Sequence, residues 1–361
     1  MDDVIRISAG EPEFDTPRHI VDAMKTALDD GHTHYGSFAG IPELKEAVTK
    51  KYEGYGVKSD PENVLITPGS TQGIYQSLKA ITEPGDDVVV MNPCFFAYLT
   101  TFDFLEINAV SLPRYSDEGW RFHVEDLLEV VTPKTKAILY ASPDNPTGAV
   151  LGDSELKSMA EVAEEKDLTL ISDDIYDMIT YEGIRFRSIA ALPGMAERTV
   201  ILNGLSKSYA MTGWRVGYVI APTRELYQRM MTVQMATYLV VNAAVQQAAL
   251  AALNGPQDCV SEMVKSYDEK RNYVLDRYED MDGVDCGKPE GAFYMFPDVS
   301  SYGMTSKKLC DHLLREGRVG VLDGAEFGSR GEGHFRQAFA QSKEELSEGL
   351  DRIERALKKL K

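Results

Sequence analysis

Only four cysteines occur in 361 residues, and Cys94, Cys259, Cys286 and Cys310 show no close-paired spacing. That excludes a zinc ribbon or a disulfide framework and fits a reducing, cytoplasmic setting. Excess positive charge is lacking as well: 38 Lys and Arg stand against 57 Asp and Glu, a formal charge of −19. Nucleic acids and anionic membranes are held by clustered cations that displace counterions, so neither is expected as a partner. The six histidines are scattered, and His32 and His34 have no third ligand nearby, so no metal site is expected. The opening Met1-Asp2-Asp3-Val4-Ile5-Arg6 has no basic stretch followed by an apolar run, so no secretory leader is expected. The nearest approach to a membrane span, 235–253, contains Asn242, Gln246 and Gln247 and reads as one buried or interface helix. Gly331 and Gly333 lack the spacing of a dinucleotide loop, and no internal repeat or low-complexity linker is present.

What is there is ordinary globular material, 43% apolar and 26% charged, long enough for a large domain and a satellite. From about residue 60 to 220, short β-branched runs alternate with helical patterns, the signature of a parallel α/β sheet. Strands are predicted over 87–91, 136–141, 169–173, 199–203 and 216–221, and helices over 71–81, 154–166 and 224–235, with Ser70 and Ser154 as N-caps. After Pro256 the pattern changes to a helix over 260–278, short strands around Phe293 and Val319, a strand over 334–339 and a closing helix over 343–359. The expected architecture is α/β: a large domain, 32–255, with a mostly parallel sheet, and a smaller α+β domain from 1–31 and 256–361.

Chemistry concentrates at predicted strand ends. Ser206-Lys207-Ser208-Tyr209 runs on to Gly213-Trp214-Arg215 between two strands, and open α/β sheets bind ligands at such carboxyl ends. Alone, a Ser-Lys pair is usually a solvated lysine. Ser142-Pro143-Asp144-Asn145-Pro146-Thr147-Gly148 alone is a turn, and Ser172-Asp173-Asp174-Ile175-Tyr176 alone is a helix cap. Together they set an amide, a carboxylate, a phenol and an amine at successive strand ends. With these motifs in this order the chain resembles the class I/II aminotransferases of the fold-type I pyridoxal-phosphate enzymes, the branch of aspartate, alanine and aromatic aminotransferases.

The resemblance implies a sheet of the seven-stranded type, pyridoxal 5'-phosphate as cofactor, and a set of roles. Lys207 would form the Schiff base with the cofactor aldehyde and later move the substrate Cα proton. Asp173 would pair with the pyridinium nitrogen, keeping the ring an electron sink. Asn145 and Tyr176 would hydrogen-bond the ring oxygen, and Phe95 would stack on the ring, although a core phenylalanine competes with that reading. Gly69-Ser70-Thr71, opening a helix after Leu65-Ile66-Thr67-Pro68, suits a phosphate; a plain N-cap fits it equally well. Arg215 would clamp the same phosphate. Tyr35, in Thr33-His34-Tyr35-Gly36, matches a tyrosine that reaches the neighbouring subunit's phosphate site, which implies a homodimer with shared sites. Arg336 would take the substrate α-carboxylate, beside Asn145 and the backbone at Gly10. Pro289-Glu290-Gly291-Ala292-Phe293-Tyr294 is given a structural role only.

Three departures stand out. Gly204 occupies the place of a phosphate-binding serine; either Ser206 substitutes for it or the phosphate has one donor fewer. Only nine residues precede Gly10, fewer than in many relatives, which bears on how the site is covered. Thr71 stands where some bacterial aspartate aminotransferases carry a lysine for the distal carboxylate. The implied reaction is a ping-pong transfer of an amino group from an L-amino acid to a 2-oxo acid, with 2-oxoglutarate expected. A C–S β-lyase or a cyclising lyase on the same fold is the alternative. A non-catalytic regulator module is disfavoured, because the chain offers neither room for a DNA-reading domain nor a basic surface.

Overall fold

The β-branched runs between residues 87 and 204 become central strands because both of their faces are covered. The computed structural model describes residues 3–360. Its strands are β1 Ile5–Arg6, β2 Val64–Thr67, β3 Asp87–Asn92, β4 Asn108–Pro113, β5 Thr135–Ala141, β6 Thr169–Asp173, β7 Thr199–Gly204, β8 Gly217–Ile220, β9 Tyr294–Met295, β10 Val319–Gly320, β11 Leu322–Asp323 and β12 Phe335–Ala338. β2 to β8 form one seven-stranded sheet in the order β2-β8-β7-β6-β5-β3-β4. All its ladders are parallel except the two that β8 makes with β7 and β2, so β8 alone runs against the rest.

Alternate residues serve opposite faces. Val88, Val90, Ala137 and Leu139 join one buried cluster, whereas Val89, Met91, Ile138 and Tyr140 join another. The first is closed by helix Ser70–Ile81 and the second by helix Asp153–Glu165. Continuous apolar runs are what a sheet covered on both faces requires.

Two strands of the large sheet escaped the sequence, as did the two-residue strands β1 and β11. β4 is an edge strand with mostly exposed side chains, and β2 is only four residues long, so neither shows a strong period. Two predicted caps are corrected. Gly69 and Gly152 occupy the N-cap positions, which places Ser70 and Ser154 inside their helices. The continuous helix expected over 235–253 is also corrected. Helix Arg224–Thr237 stops, Leu239 takes a left-handed φ of 66°, and helix Ala243–Asn254 begins with the Asn242 side chain accepting from Val245 N. Asn242 is polar because it caps a helix.

The C-terminal part carries the three-stranded antiparallel sheet β11-β12-β9, and β1 pairs in parallel with β10. The N-terminal stretch divides between two neighbourhoods. β1 joins the C-terminal part, whereas helix Arg18–Asp29 buries Ile20 in the cluster that contains Leu44, Val48 and Ala248.

Candidate active site

Five parallel-running strand ends and one strand start meet along one edge of the large sheet. β2 ends before Gly69, β3 before Phe95, β5 before Asn145, β6 at Asp173 and β7 before Lys207. Because β8 runs the other way, it begins at the same edge, and Arg215 immediately before it arrives there too. A cavity of about 370 Å³ opens at this edge. Gly10, Ser70, Thr71, Phe95, Asn145, Asp173, Tyr176, Ser206, Lys207, Arg215 and Arg336 all line it. Gly69 lies just behind: a Cβ there would stand 2.8 Å from Arg215 Nη2. Within one chain Tyr35 is not in the cavity wall and is 80% exposed.

The three cations in the wall are held by neutral oxygens. Lys207 Nζ donates to the Gly10 carbonyl at 2.5 Å. Arg215 donates to the carbonyls of Thr212 at 3.0 Å and Pro68 at 3.4 Å. Arg336, 3% exposed, donates to Asn145 Oδ1 and to the Ser8 carbonyl, both at 2.8 Å, and its buried Nε has no partner. Among the described residues no carboxylate forms an ion pair with these three, so their charge remains available to anions. A buried guanidinium with an unpartnered Nε is costly until a ligand completes it.

Asp173 is the opposing charge, 3% exposed. Its Oδ2 accepts from Tyr98 OH at 2.8 Å and its Oδ1 from Ile175 N at 3.3 Å. Burial nevertheless pushes its carboxyl up to about 6, against the opposing pull of those two donors and of Lys207. A buried carboxylate left short of positive charge suits a cationic ligand nitrogen.

The start of helix Ser70–Ile81 offers backbone N–H groups at the positive end of its dipole. It sits against the sheet only because glycines let it. Gly69 has φ 89°, and a Cβ on Gly217 would lie 2.8 Å from Gly69 C and 2.9 Å from Ser70 N. Arg215 holds a left-handed φ of 54°, which orients it beside this helix start. These features fit a dianion such as a phosphate ester. Gly204 is tightly enclosed: a Cβ there would meet Ile175 Cδ1 and Val216 O, each at 3.2 Å, so a serine at 204 would need its neighbours to shift. Ser206 lines the cavity in its stead.

Sequence reasoning missed Tyr98 and underrated Tyr294. Tyr98 follows Phe95 by three residues, in the first turn of helix Phe96–Leu105, a spacing that could have flagged it. Tyr294, given a structural role only, lines the cavity and places its hydroxyl 2.7 Å from Tyr176 OH. Thr212 and Glu11, which hydrogen-bond to each other, also line it.

Residues 2–353 match the family model described as aminotransferase class I and II. An aspartate aminotransferase of Pyrococcus abyssi is 40% identical over 365 residues, covering 100% of this chain and 93% of the relative. Aromatic-amino-acid aminotransferase 2 of Thermococcus litoralis is 39% identical, covering 99% and 92%. Among solved structures, an aromatic aminotransferase from Pyrococcus horikoshii superposes with a TM-score of 0.96 at 40% identity, covering 99% of this chain and 96% of that one. An aspartate aminotransferase from Thermus thermophilus with maleate gives 0.93 at 34% identity, covering 98% and 92%.

Proposed function

Since the chain belongs to the aminotransferase class I and II family, we propose that Lys207, Asp173 and Arg336 divide its chemistry between cofactor attachment, cofactor electronics and substrate anchoring. The enzyme is a pyridoxal-phosphate-dependent aminotransferase of fold type I, moving an amino group from an amino acid to a 2-oxo acid. The reported relatives are aminotransferases and lend no support to the lyase alternative. The observation that carries the division of roles is the convergence of one amine, one buried carboxylate and one buried guanidinium on a single cavity.

Bound pyridoxal phosphate supplies an aldehyde for attachment and a ring that withdraws electrons from the substrate Cα. Lys207 Nζ would be the amine that holds the aldehyde and, when free, the base that takes the proton from the substrate Cα. Asp173, its carboxylate fixed by Tyr98, would hold the ring nitrogen's proton in place. Asn145 and Tyr176 would hydrogen-bond the ring oxygen, and Phe95 would pack against the ring. The N–H groups of Ser70 and Thr71, with Ser206 and Arg215, would hold the phosphate. Arg336 binds the substrate α-carboxylate bidentately, steadied by Asn145 and approached by the backbone at Gly10.

The preferred acceptor is 2-oxoglutarate in a ping-pong cycle, a reading supported by the family alone. Aspartate and aromatic amino acids are the donors to compare first, since relatives of both names match at nearly equal identity. Each site is completed by Tyr35 of a second copy. Support comes from its exposed ring and from Phe38 and Met235, which are also large, apolar and exposed. The four cysteines are free, which supports a reducing, cytoplasmic location, and among the described residues no helix is long and apolar enough to cross a membrane.

The assignment is tested with Lys207→Ala. Reconstituted with pyridoxal phosphate, it should show no covalent attachment after borohydride reduction and lose at least about 10⁴-fold in turnover. Full activity in that variant would overturn the residue roles. A donor panel with 2-oxoglutarate, read as kcat/KM, then ranks aspartate against aromatic substrates.

A further inference from the structure

We propose that Tyr294 is a positioning residue of this site: its hydroxyl sets the direction in which Tyr176 donates, and its ring carries the guanidinium of Arg336. The inference rests on the roles given above to Tyr176 and Arg336.

Strand register brings the three together. Tyr294 in β9 pairs with Ala338 in β12, and Arg336 lies two residues earlier in β12, on the same face. The Arg336 guanidinium carbon stands 4.3 Å from the centroid of the Tyr294 ring, within cation–π range, and 5.1 Å from that of Phe327. The hydroxyls of Tyr294 and Tyr176 are 2.7 Å apart and buried. Phe293 meets the Tyr176 ring edge-on at 5.5 Å, so the ring is fixed by one neighbour and the hydroxyl by the next.

A phenol has one proton to donate. If Tyr176 sends its proton to an acceptor in the cavity, the short contact between the two phenols is satisfied only with Tyr294 as donor. That donation polarises Tyr176 and makes it the stronger donor toward the cofactor's ring oxygen. Burial keeps Tyr176 protonated, raising its phenol far above the ordinary range, so the relay does not dissolve near neutrality. Gly10 completes the arrangement. A Cβ there would stand 2.4 Å from Tyr294 OH, and the Gly10 carbonyl is the acceptor for Lys207 Nζ. One side chain thus borders the phenol, the guanidinium and the backbone that receives the amine.

The two tasks separate by substitution in the holoenzyme. A donor at the ring oxygen favours its anionic form and lowers the pH at which the lysine-bound nitrogen loses its proton. Tyr294→Phe removes the hydroxyl and keeps the ring. It should raise the pH midpoint of the cofactor's visible absorption change by roughly half to one unit while leaving maleate affinity unchanged. Tyr294→Leu removes both, and should show that shift together with maleate binding weakened roughly 2- to 30-fold. A wild-type midpoint in the Phe variant, or wild-type maleate affinity in the Leu variant, overturns the proposal. If wild-type enzyme reconstituted with pyridoxal phosphate shows no cofactor band in the visible at all, the site roles proposed above fall, and this inference with them; a band that does not change with pH overturns this inference alone.

Discussion

Asp173 shows how a fold can impose a charge conflict on one residue. With its carboxyl raised from an ordinary 3.8 to about 6, the folded cofactor-free chain holds that proton more tightly than the unfolded chain does. Stability therefore falls as pH rises between those values, and ionisation costs on the order of 3 kcal/mol above them. Asp173→Asn should stabilise the cofactor-free protein by a part of that amount near about pH 8, and the gain should vanish below about pH 4. Urea unfolding across that range checks it, and a difference independent of pH would show that Asp173 carries no such strain. With Asp173 in its proposed role, pyridoxal phosphate would remove the conflict in the wild type by supplying a cationic nitrogen, so the same variant should bind the cofactor more weakly. Asp173 itself was legible as a polar residue closing an apolar strand. Its partner Tyr98, 75 residues away in sequence, was not, because a hydrogen bond between distant segments leaves no local pattern.

The element proposed to take the phosphate is the start of helix Ser70–Ile81, and its placement depends on positions that carry no side chain. A Cβ on Gly217 would press into the backbone at Asn203, Gly69 and Ser70, at 2.7 to 2.9 Å. Gly217→Ala should therefore push the helix start outward and raise the Kd for pyridoxal phosphate roughly 10- to 100-fold, without abolishing attachment at saturation. Gly213→Ala, where a Cβ meets nothing within 4 Å, is the nearby control and should bind normally. Equal affinities of the two variants would count against this helix start as the phosphate site. The central strands were readable because burial on both faces forces an uninterrupted apolar run. β4 and the break before Ala243 were not, since an edge strand and a capped helix start use the polar residues that also mark loops.

At the scale of the whole molecule, a chain of formal charge −19 gathers three cations tied to neutral oxygens in one cavity, and two of them, Arg215 and Arg336, are the proposed anion binders. The net charge describes the surface as a whole, and the local geometry sets what this cavity suits. The proposed dimer makes a prediction of its own. Lys207→Ala and Tyr35→Ala chains, each inactive or impaired alone, should on mixing and reassembly regain about a quarter of wild-type activity, because half the dimers are hybrids and each hybrid holds one native site. No recovery above the parents would remove Tyr35 from the shared site. The sequence by itself determined the sheet-forming runs, the motifs at their ends and hence the family, because backbone pairing and apolar burial are written in local periodicity. Only the tertiary structure decided that Tyr98 serves Asp173, that Tyr294 spans Tyr176 and Arg336, and that glycines at 69 and 217 seat the helix. Those facts depend on register, crossing chains and space left empty, which sequence spacing does not encode.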